Sequence, residues 1–478
     1  MRQLAYAVCA LLLLGPGLRG QSAQFGVDKR VELMSIVFRL AGNMEYSQGR
    51  IPAYNAAIDR YFAPFRDHEA IRIARGLRES DKVGFDAVMS IAVHIKDAEL
   101  LAERVPLDHD SSLDARWHAE TARRFLNAVR KFVVDSNFAG FVESQRPFYD
   151  QVDARLRSFV AENADLGWFD RFFGPRSHSP FHLVPGLVNG GPSYGPHVTL
   201  ADGSEEIYAI PGVWKVDADG LPVFDAAWTQ TLVHEFSHSY ANPLIDKFAP
   251  QLQQSGEALF QVFGAQMRRQ AYRNGRTVLY ESLVRAVTAR YEFEHHGAEA
   301  AARVVNEERR NSFLWTGALL ALLDQYANNR EHYPTLESFM PQVVAFFGDV
   351  SSKAPSAYDE NRPKVVSMNI NDSASDVDPG LKEIVIRFSR PMMRNNYAIC
   401  DIPEAPEPKE SKASFDESGQ VFTVTVTLEP DKEYGFSLNE PGLDVFQSVE
   451  GIPLSPVKVR FRTRAARTVP PPAKPVAH

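Results

Sequence analysis

The sequence predicts an α+β protein in which a mainly helical region with a small β-sheet precedes an all-β sandwich. Residues 27–173 and 226–348 carry apolar side chains at helical spacing, and two short β-like runs lie between them. Beyond residue 363, apolar and polar side chains alternate along short runs, as in half-buried strands. At 478 residues the chain is too long for one hydrophobic core, so we expect two or three domains.

The helical elements are predicted from the period of their apolar side chains. Apolar residues recur at i, i+3, i+4 and i+7 from Leu33 to Leu40, and Gly42 is expected to end that helix. Residues 117–134 repeat the pattern. These helices belong to a first domain, which is expected to extend from residue 24 to residue 352.

The small sheet is predicted between residues 197 and 210. His197–Leu200 and Glu205–Ile210 have strand character, and the turn residues 201–204 join them as a hairpin. An exposed edge strand of such a sheet can pair with the backbone of an extended peptide. The predicted sheet could therefore hold an extended peptide next to the helix that follows it.

The C-terminal part is predicted to be a separate β-sandwich over residues 363–465. Residues 353–362 are mostly polar and include Pro355, which predicts a linker. Residues 466–478 are rich in proline and predict a disordered tail. The expected strands are Val365–Ile370, Glu383–Phe388, Val421–Leu428, Tyr434–Leu438 and Val457–Thr463.

Residues 1–23 are expected to be a secretory signal peptide. Arg2 precedes an apolar run from Leu4 to Leu14, and small residues from Gly20 onward fit a cleavage site. Its removal leaves Cys400 as the only cysteine, which excludes an intrachain disulfide. The mature protein is therefore expected to be extracytoplasmic, either periplasmic or secreted, and held together by its core.

Composition and the length of the apolar segments argue against binding of nucleic acid and against a membrane-spanning segment. The chain is 44% hydrophobic and 23% charged with a formal charge of −8, and it has no basic stripe, so nucleic acid is not expected to bind. Beyond the signal peptide, no segment reaches the roughly 18 uninterrupted apolar residues that a membrane span requires. An integral membrane segment is therefore not expected.

The segment 234–238 reads His-Glu-Phe-Ser-His and predicts a zinc site. Two histidines four residues apart lie on the same helix face, so the imidazoles of His234 and His238 can reach one ion. Glu235 is then placed to take a proton from a water on that ion. Leu232 and Val233 surround the motif with apolar bulk, which a wholly solvated helix face would lack.

The helix that carries this motif is predicted over Trp228–Tyr240. That stretch holds no proline, no glycine and no charge apart from Glu235. Asn242-Pro243 is expected to stop the helix, because proline lacks the backbone N–H that a helix interior requires.

Two glutamates compete for the third zinc ligand, since two histidines leave one protein ligand and one water position to fill. Glu257 faces away from the apolar side of its predicted helix, 256–271, and is expected to be solvated. Glu281 lies one turn from Val278 and Val284, on a mixed face, and Arg285 could orient its carboxylate. The helical wheel alone leaves both glutamates open.

Three segments resemble the DUF4932 family of bacterial exported proteins: residues 31–42, residues 234–244 and residues 281–286. The resemblance covers about residues 25–350. It implies a zinc metallopeptidase and implies that Glu281 is the third ligand. We therefore expect a zincin-like metallopeptidase domain over residues 24–352.

Residues 363–367 and 386–392 resemble a bacterial Ig-like domain. Such domains usually act as spacers or adhesion modules, and this fold by itself predicts no chemistry. The resemblance implies contact with a cell surface or polymer through the C-terminal domain.

The predicted activity is hydrolysis of peptide or protein substrates. Zn²⁺ held by the two histidines and a glutamate would activate a water, with Glu235 as the general base. Tyr194, Tyr291, His295 and His296 are candidates for stabilising the oxyanion, and the sequence selects none of them. For His295 and His296, an exposed helix end is favoured over a second metal cluster.

Two alternative functions remain open on the sequence. One is a catalytically idle zinc-containing protein that binds or adheres through its Ig-like domain. An intact Glu235 in an open site argues against it, because a structural zinc site closes with four protein ligands and needs no base. The other is a zinc hydrolase of non-peptide amides or esters, which only substrate profiling would distinguish.

Overall fold

The computed structural model describes residues 23–108, 112–175 and 180–465, and it has a mixed α+β fold. Apart from Ala23, the predicted signal peptide lies outside these ranges, as does the predicted proline-rich tail. The chain divides into two compact units, residues 1–240 and 241–478. No helix of the described residues is long and apolar enough to cross a membrane.

The first unit is largely helical, as predicted. The helices are α1 (Lys29–Leu40), α2 (Pro52–Tyr61), α3 (Glu69–Ser80), α4 (Asp86–Val93), α5 (Ala119–Asp135), α6 (Phe138–Asn163) and α7 (Gly167–Phe173). Helix α1 begins after Asp28, whose side chain accepts a hydrogen bond from the Arg30 N–H at 2.8 Å, and it ends before Gly42, which has a φ of +94°.

A four-stranded sheet completes the first unit. Its strands are β1 (Ala23–Phe25), β2 (Phe181–Leu183), β3 (His197–Thr199) and β4 (Glu205–Ala209), in the order β1-β2-β4-β3. Strands β3 and β4 form the predicted antiparallel hairpin, which leaves β3 at the sheet edge. Strands β1 and β2 were not predicted. Each has only three residues and pairs in parallel with a distant segment, so no hairpin turn marks it as one marks β3.

Helix α8 (Ala226–Lys247) is longer than the sequence predicts. The prediction that Asn242-Pro243 ends it is wrong, because Pro243 lies inside the helix. Tertiary contacts offset the lost backbone hydrogen bond at the proline. Ile245 is buried, and the side chain of Asp246 accepts hydrogen bonds from Arg276 and Tyr280 of a neighbouring helix.

The helices of the second unit are α9 (Ala249–Arg269), α10 (Gly275–His296), α11 (Ala298–Arg310), α12 (Thr316–Ala327) and α13 (Leu336–Asn361). Helices α9, α11 and α12 pack on α10, and α13 packs on α9. Residues 281–291 of α10 are all buried, which explains why the apolar pattern of α10 shows no single clear face.

The prediction of a linker at residues 353–362 is wrong, because α13 continues to Asn361 with Pro355 inside it. Its last turns pack on α9. Tyr358 lies edge-on to Phe263, with ring centroids 5.4 Å apart, and its hydroxyl accepts a hydrogen bond from Gln266 Nε2 at 3.1 Å. A polar, proline-containing stretch therefore stays helical because of its tertiary contacts.

The C-terminal β region, residues 365–463, contains all five predicted strands. The strands are β5 (Val365–Met368), β6 (Ala374–Val377), β7 (Glu383–Phe388), β8 (Ile399–Cys400), β9 (Lys409–Phe415), β10 (Val421–Thr427), β11 (Glu433–Leu438) and β12 (Val457–Thr463). Strands β6, β8 and β9 lack an alternating apolar pattern and were not predicted. Two four-stranded sheets form, in the orders β5-β7-β10-β9 and β6-β12-β11-β8, and their buried side chains share one core.

Candidate metal centre

Helix α8 presents the two histidines of the motif on one face. The imidazole rings of His234 and His238 lie edge to face with their centroids 5.0 Å apart, and both residues are half-buried. The expected apolar surroundings are present, since Leu232, Val233 and Phe236 are at most 1% exposed. Both rings are therefore held by a buried helix while remaining partly accessible.

Glu281 on α10 supplies a carboxylate beside these rings. One ligand atom from each of His234, His238 and Glu281 lies within 4.8 Å of the other two. No other group of three or more histidine, cysteine or acidic side chains with metal-ligand spacing occurs among residues 23–108, 112–175 and 180–465. The two histidines of the sequence motif and the carboxylate of Glu281 thus form one cluster of potential metal ligands.

Glu257, the competing glutamate, does not belong to this group. It is exposed on α9, as its helical face predicts, and its carboxylate accepts a hydrogen bond from Gln253 Nε2 at 2.8 Å. The structure therefore brings Glu281, and not Glu257, to the two histidines.

The three donors fit a zinc ion chemically. Two imidazoles and one carboxylate form a donor set that zinc uses in open sites, where the fourth position takes water. Zinc bonds to these atoms are about 2.0–2.2 Å long, so two ligands on one ion lie at most about 4 Å apart. The spacing of up to 4.8 Å between the three ligand atoms exceeds this value by less than about 1 Å.

Arg285 orients the carboxylate of Glu281. Its Nη2 lies 3.1 Å from Glu281 Oε2, and both side chains are less than 10% exposed. A solvated ion pair on a helix surface is thereby excluded. The buried guanidinium has the position expected of a group that fixes the orientation of a metal-binding carboxylate.

A second buried carboxylate, on Glu308 of α11, holds Arg285 from the other side. The Arg285 Nη1 donates to Glu308 Oε2, and the guanidinium lies 4.4 Å from the centre of the Phe313 ring. Burial raises the pKa of the Glu308 carboxyl above its ordinary value, against the lowering effect of Arg285. Sequence reasoning missed Glu308, because its distance of 23 positions from Arg285 gives no local signal.

The pKa of Arg285 is nevertheless held above its ordinary value. Burial alone lowers it, but the Tyr272 hydroxyl and the two carboxylates on either side more than offset that effect. Tyr272 also accepts a hydrogen bond from Arg285 Nη2 at 2.8 Å. Arg285 is therefore a permanent cation at the base of the site.

Glu235, the expected general base, is half-buried and lies against Gly195. A Cβ atom at position 195 would stand 3.0 Å from Glu235 Oε2, so the absence of a side chain gives the carboxylate its space. Gly195 comes two residues before strand β3, the edge strand of the sheet. The carboxylate of Glu235 is thus next to the chain segment that leads into an edge strand.

Substituting Gly195 with alanine is expected to move the Glu235 carboxylate by a few tenths of an ångström or more. Because proton transfer depends on hydrogen-bond reach, kcat should fall about ten-fold while zinc content stays at the wild-type level. Steady-state kinetics with metal analysis on the same samples checks this. Gly191→Ala is the control, because Gly191 has no left-handed φ and a Cβ atom there would have nothing within 4 Å; equal losses in the two variants would contradict the role of Gly195.

The four candidate oxyanion stabilisers do not join the group of potential metal ligands. Tyr194 is 5% exposed, its ring centroid is 6.2 Å from that of Tyr46, and burial raises the pKa of its hydroxyl. Tyr194 is therefore a core residue. Tyr291 is also buried, with its ring stacked at 3.9 Å on the exposed His295.

His295 and His296 occupy the exposed end of α10, as favoured from the sequence. The His295 Nδ1 lies 2.9 Å from the carbonyl oxygen of Tyr291, one turn earlier. The His296 Nδ1 lies 2.8 Å from Glu292 Oε2. In the described part of the chain, no second cluster with metal-ligand spacing forms around these histidines.

A comparison with protein families matches the model for the domain of unknown function DUF4932 over residues 24–346. This match covers more than half of the 478 residues, so the chain belongs to the DUF4932 family. The resemblance that the sequence motifs indicate is thereby confirmed at the level of the family. The curated proteins contain no match.

Among solved structures, three chains of the bacterial surface-layer protein SbsC are similar at 12% sequence identity. Domains 1–6 match with a TM-score of 0.17 over 72% of this chain, and the chain of residues 31–844 with 0.17 over 82%. The N-terminal part matches with 0.16 over 72%. The chain spans 41%, 46% and 71% of their respective lengths, and TM-scores this low support no conclusion about fold or function.

Proposed function

We propose that this protein is an exported zinc-dependent metallopeptidase with a zincin-like catalytic domain. The observation that carries the proposal is the spacing of three ligand atoms, from His234, His238 and Glu281, within 4.8 Å. His234 and His238 would hold Zn²⁺ through their imidazoles and Glu281 through its carboxylate. Three protein ligands are the number found in catalytic zinc sites, which keep a fourth position for water or substrate.

A zinc ion bound there would lower the pKa of its water and polarise the scissile carbonyl. With the ion bound, Glu235 would act as the general base toward the attacking water and would return the proton to the leaving amine, which requires an ionised carboxylate held in place. The space left by Gly195 and the rigid helix α8 together determine where this carboxylate lies.

The edge strand β3 supports a peptide as the substrate. It pairs with β4 on one side only. On its other side the Thr199 N–H already donates to Ser112 Oγ at 3.2 Å, so an extended chain would pair through the remaining backbone groups of that side. The segment leading into β3 lies against the Glu235 carboxylate. A peptide aligned along β3 would therefore be presented close to the general base.

We propose further that the C-terminal β region is an Ig-like sandwich. Its two four-stranded sheets share one core, to which Ile386 and Phe422 contribute from one sheet and Phe436 and Phe461 from the other. Its proposed role as a contact site for a cell surface or polymer follows from the resemblance of its sequence.

The metal centre is tested by comparing two glutamate variants in the full mature chain. Glu281→Gln removes the charge of a ligand and is expected to weaken zinc binding about ten-fold or more. Glu257→Gln alters an exposed side chain and should leave zinc affinity unchanged, with stability altered by no more than about 0.5 kcal/mol.

Both variants are titrated against a zinc chelator under the same conditions as the wild type. About one zinc per chain in the wild type, with hydrolysis of a general protein substrate that chelation abolishes and zinc restores, supports the proposed function. Wild-type protein without zinc, or zinc lost from Glu257→Gln and kept by Glu281→Gln, would contradict the assignment.

A further inference from the structure

The metal-ligating glutamate is linked to the C-terminal β region through a series of buried contacts. Glu281 is held by Arg285, and Arg285 by Glu308 near the C-terminal end of α11. The Asn311 Nδ2 donates to Glu308 Oε2 at 3.1 Å, so the loop after α11 fixes this carboxylate in turn. The orientation of Glu281 therefore depends on the position of the 311–313 loop.

The 311–313 loop has a constrained conformation. Ser312 has a φ of +69°, in the left-handed region that residues with a side chain rarely adopt. Phe313 is fully buried beneath the guanidinium of Arg285, and the Asn311 carbonyl accepts a hydrogen bond from Gln270 Nε2 at 2.9 Å. Such strain persists only where surrounding contacts hold the backbone in place.

A turn of the C-terminal β region, residues 448–451, supplies contacts of this kind. The Ser312 hydroxyl donates to the Glu450 carbonyl at 2.7 Å. The Gly451 carbonyl accepts hydrogen bonds from Arg269 Nη2 at 3.0 Å and Gln266 Nε2 at 3.4 Å. The turn is thus bonded both to the end of α9 and to the loop that holds Glu308.

Gly451 permits this docking. Its φ of +75° lies in the left-handed region, and a Cβ atom there would stand 3.3 Å from the Ser312 hydroxyl oxygen. A β-branched side chain at this position would strain the turn and press on Ser312.

We propose that the docked turn 448–451 sets the metal affinity of the site, by holding Glu281 in its ligating orientation through Ser312, Glu308 and Arg285. This inference rests on the proposed metal centre. The C-terminal β region is then a structural part of the metal site and not a detachable spacer, and Arg285 is a positioning residue.

Two variants of the full mature chain test the proposal. Gly451→Val and Ser312→Ala are each expected to weaken zinc binding about ten-fold, the size of effect typical of partners behind a metal ligand. Zinc affinity is measured by competition with a chelator. The melting temperature of the zinc-free protein is measured on the same samples, since a purely structural effect would lower it without changing zinc affinity.

The chain offers a matched control for each variant. Gly442 also has a left-handed φ, of +92°, and a Cβ atom there would have nothing within 4 Å, so Gly442→Val should bind zinc as the wild type does. Ser351→Ala removes a hydroxyl that donates only to Gly348 of its own helix, at 3.1 Å, and should also have no effect.

The outcomes separate this inference from the proposed function. If the wild type binds zinc and the folded Ser312→Ala variant binds it equally well, the linkage is wrong and the metal centre stands. If the wild type binds no zinc, both fail. Should Gly451→Val not fold, Ser312→Ala decides alone, because it removes a single hydrogen bond and introduces no strain.

Discussion

Glu235→Gln is expected to lower hydrolysis of a general protein substrate at least about a hundred-fold while zinc content stays at one ion per chain. Glutamine keeps the shape of the side chain and its place beside Gly195, but it cannot accept a proton. Because Glu235 is not among the three grouped ligands, its charge should matter to the reaction and not to metal retention.

The measurement is kcat together with metal content on the same preparation. Glu257→Gln serves as the control, since it makes the same chemical change on an exposed face of α9. Activity within about two-fold of the wild type would remove Glu235 from the mechanism. Loss of zinc along with activity would make Glu235 a ligand instead of a base.

His234→Ala and His238→Ala are each expected to abolish stoichiometric zinc binding and, with it, hydrolysis. Each change leaves only two protein ligands, and affinity for an open zinc site depends on all three. The two rings share one helix face, so neither can replace the other.

Metal analysis after dialysis against a weak chelator checks this expectation. His295→Ala is the matched control, because His295 lies at the exposed end of α10 outside the metal-ligating group. Full zinc content in both His234→Ala and His238→Ala would exclude the site. Zinc lost from all three histidine variants would indicate nonspecific binding to surface imidazoles.

Local sequence determined the elements whose signal is periodic. The apolar spacing in α1, α5 and α9 and the alternation in β7, β10 and β12 reflect which face each element buries, and the structure confirms these elements. The same reasoning correctly placed Glu257 on a solvated face, because α9 buries only one side of the helix.

Tertiary contacts decided what local signals could not. Pro243 and Pro355 are strong helix breakers in sequence, yet both lie inside helices, since packing around Asp246 and Tyr358 offsets the lost hydrogen bonds. Strands β6, β8 and β9 are fixed by pairing with neighbouring strands and carry little apolar pattern of their own.

The candidate site shows the same division. The spacing of His234 and His238 was determined by the sequence alone, because the helix repeat fixes it locally. The third carboxylate was left open between two glutamates, since nothing local to α10 specifies what faces Glu281. The folded chain favours Glu281, because it brings that carboxylate within 4.8 Å of the histidines and places Arg285 and Glu308 behind it. Such contacts between distant segments arise from packing and leave no local signal in the sequence.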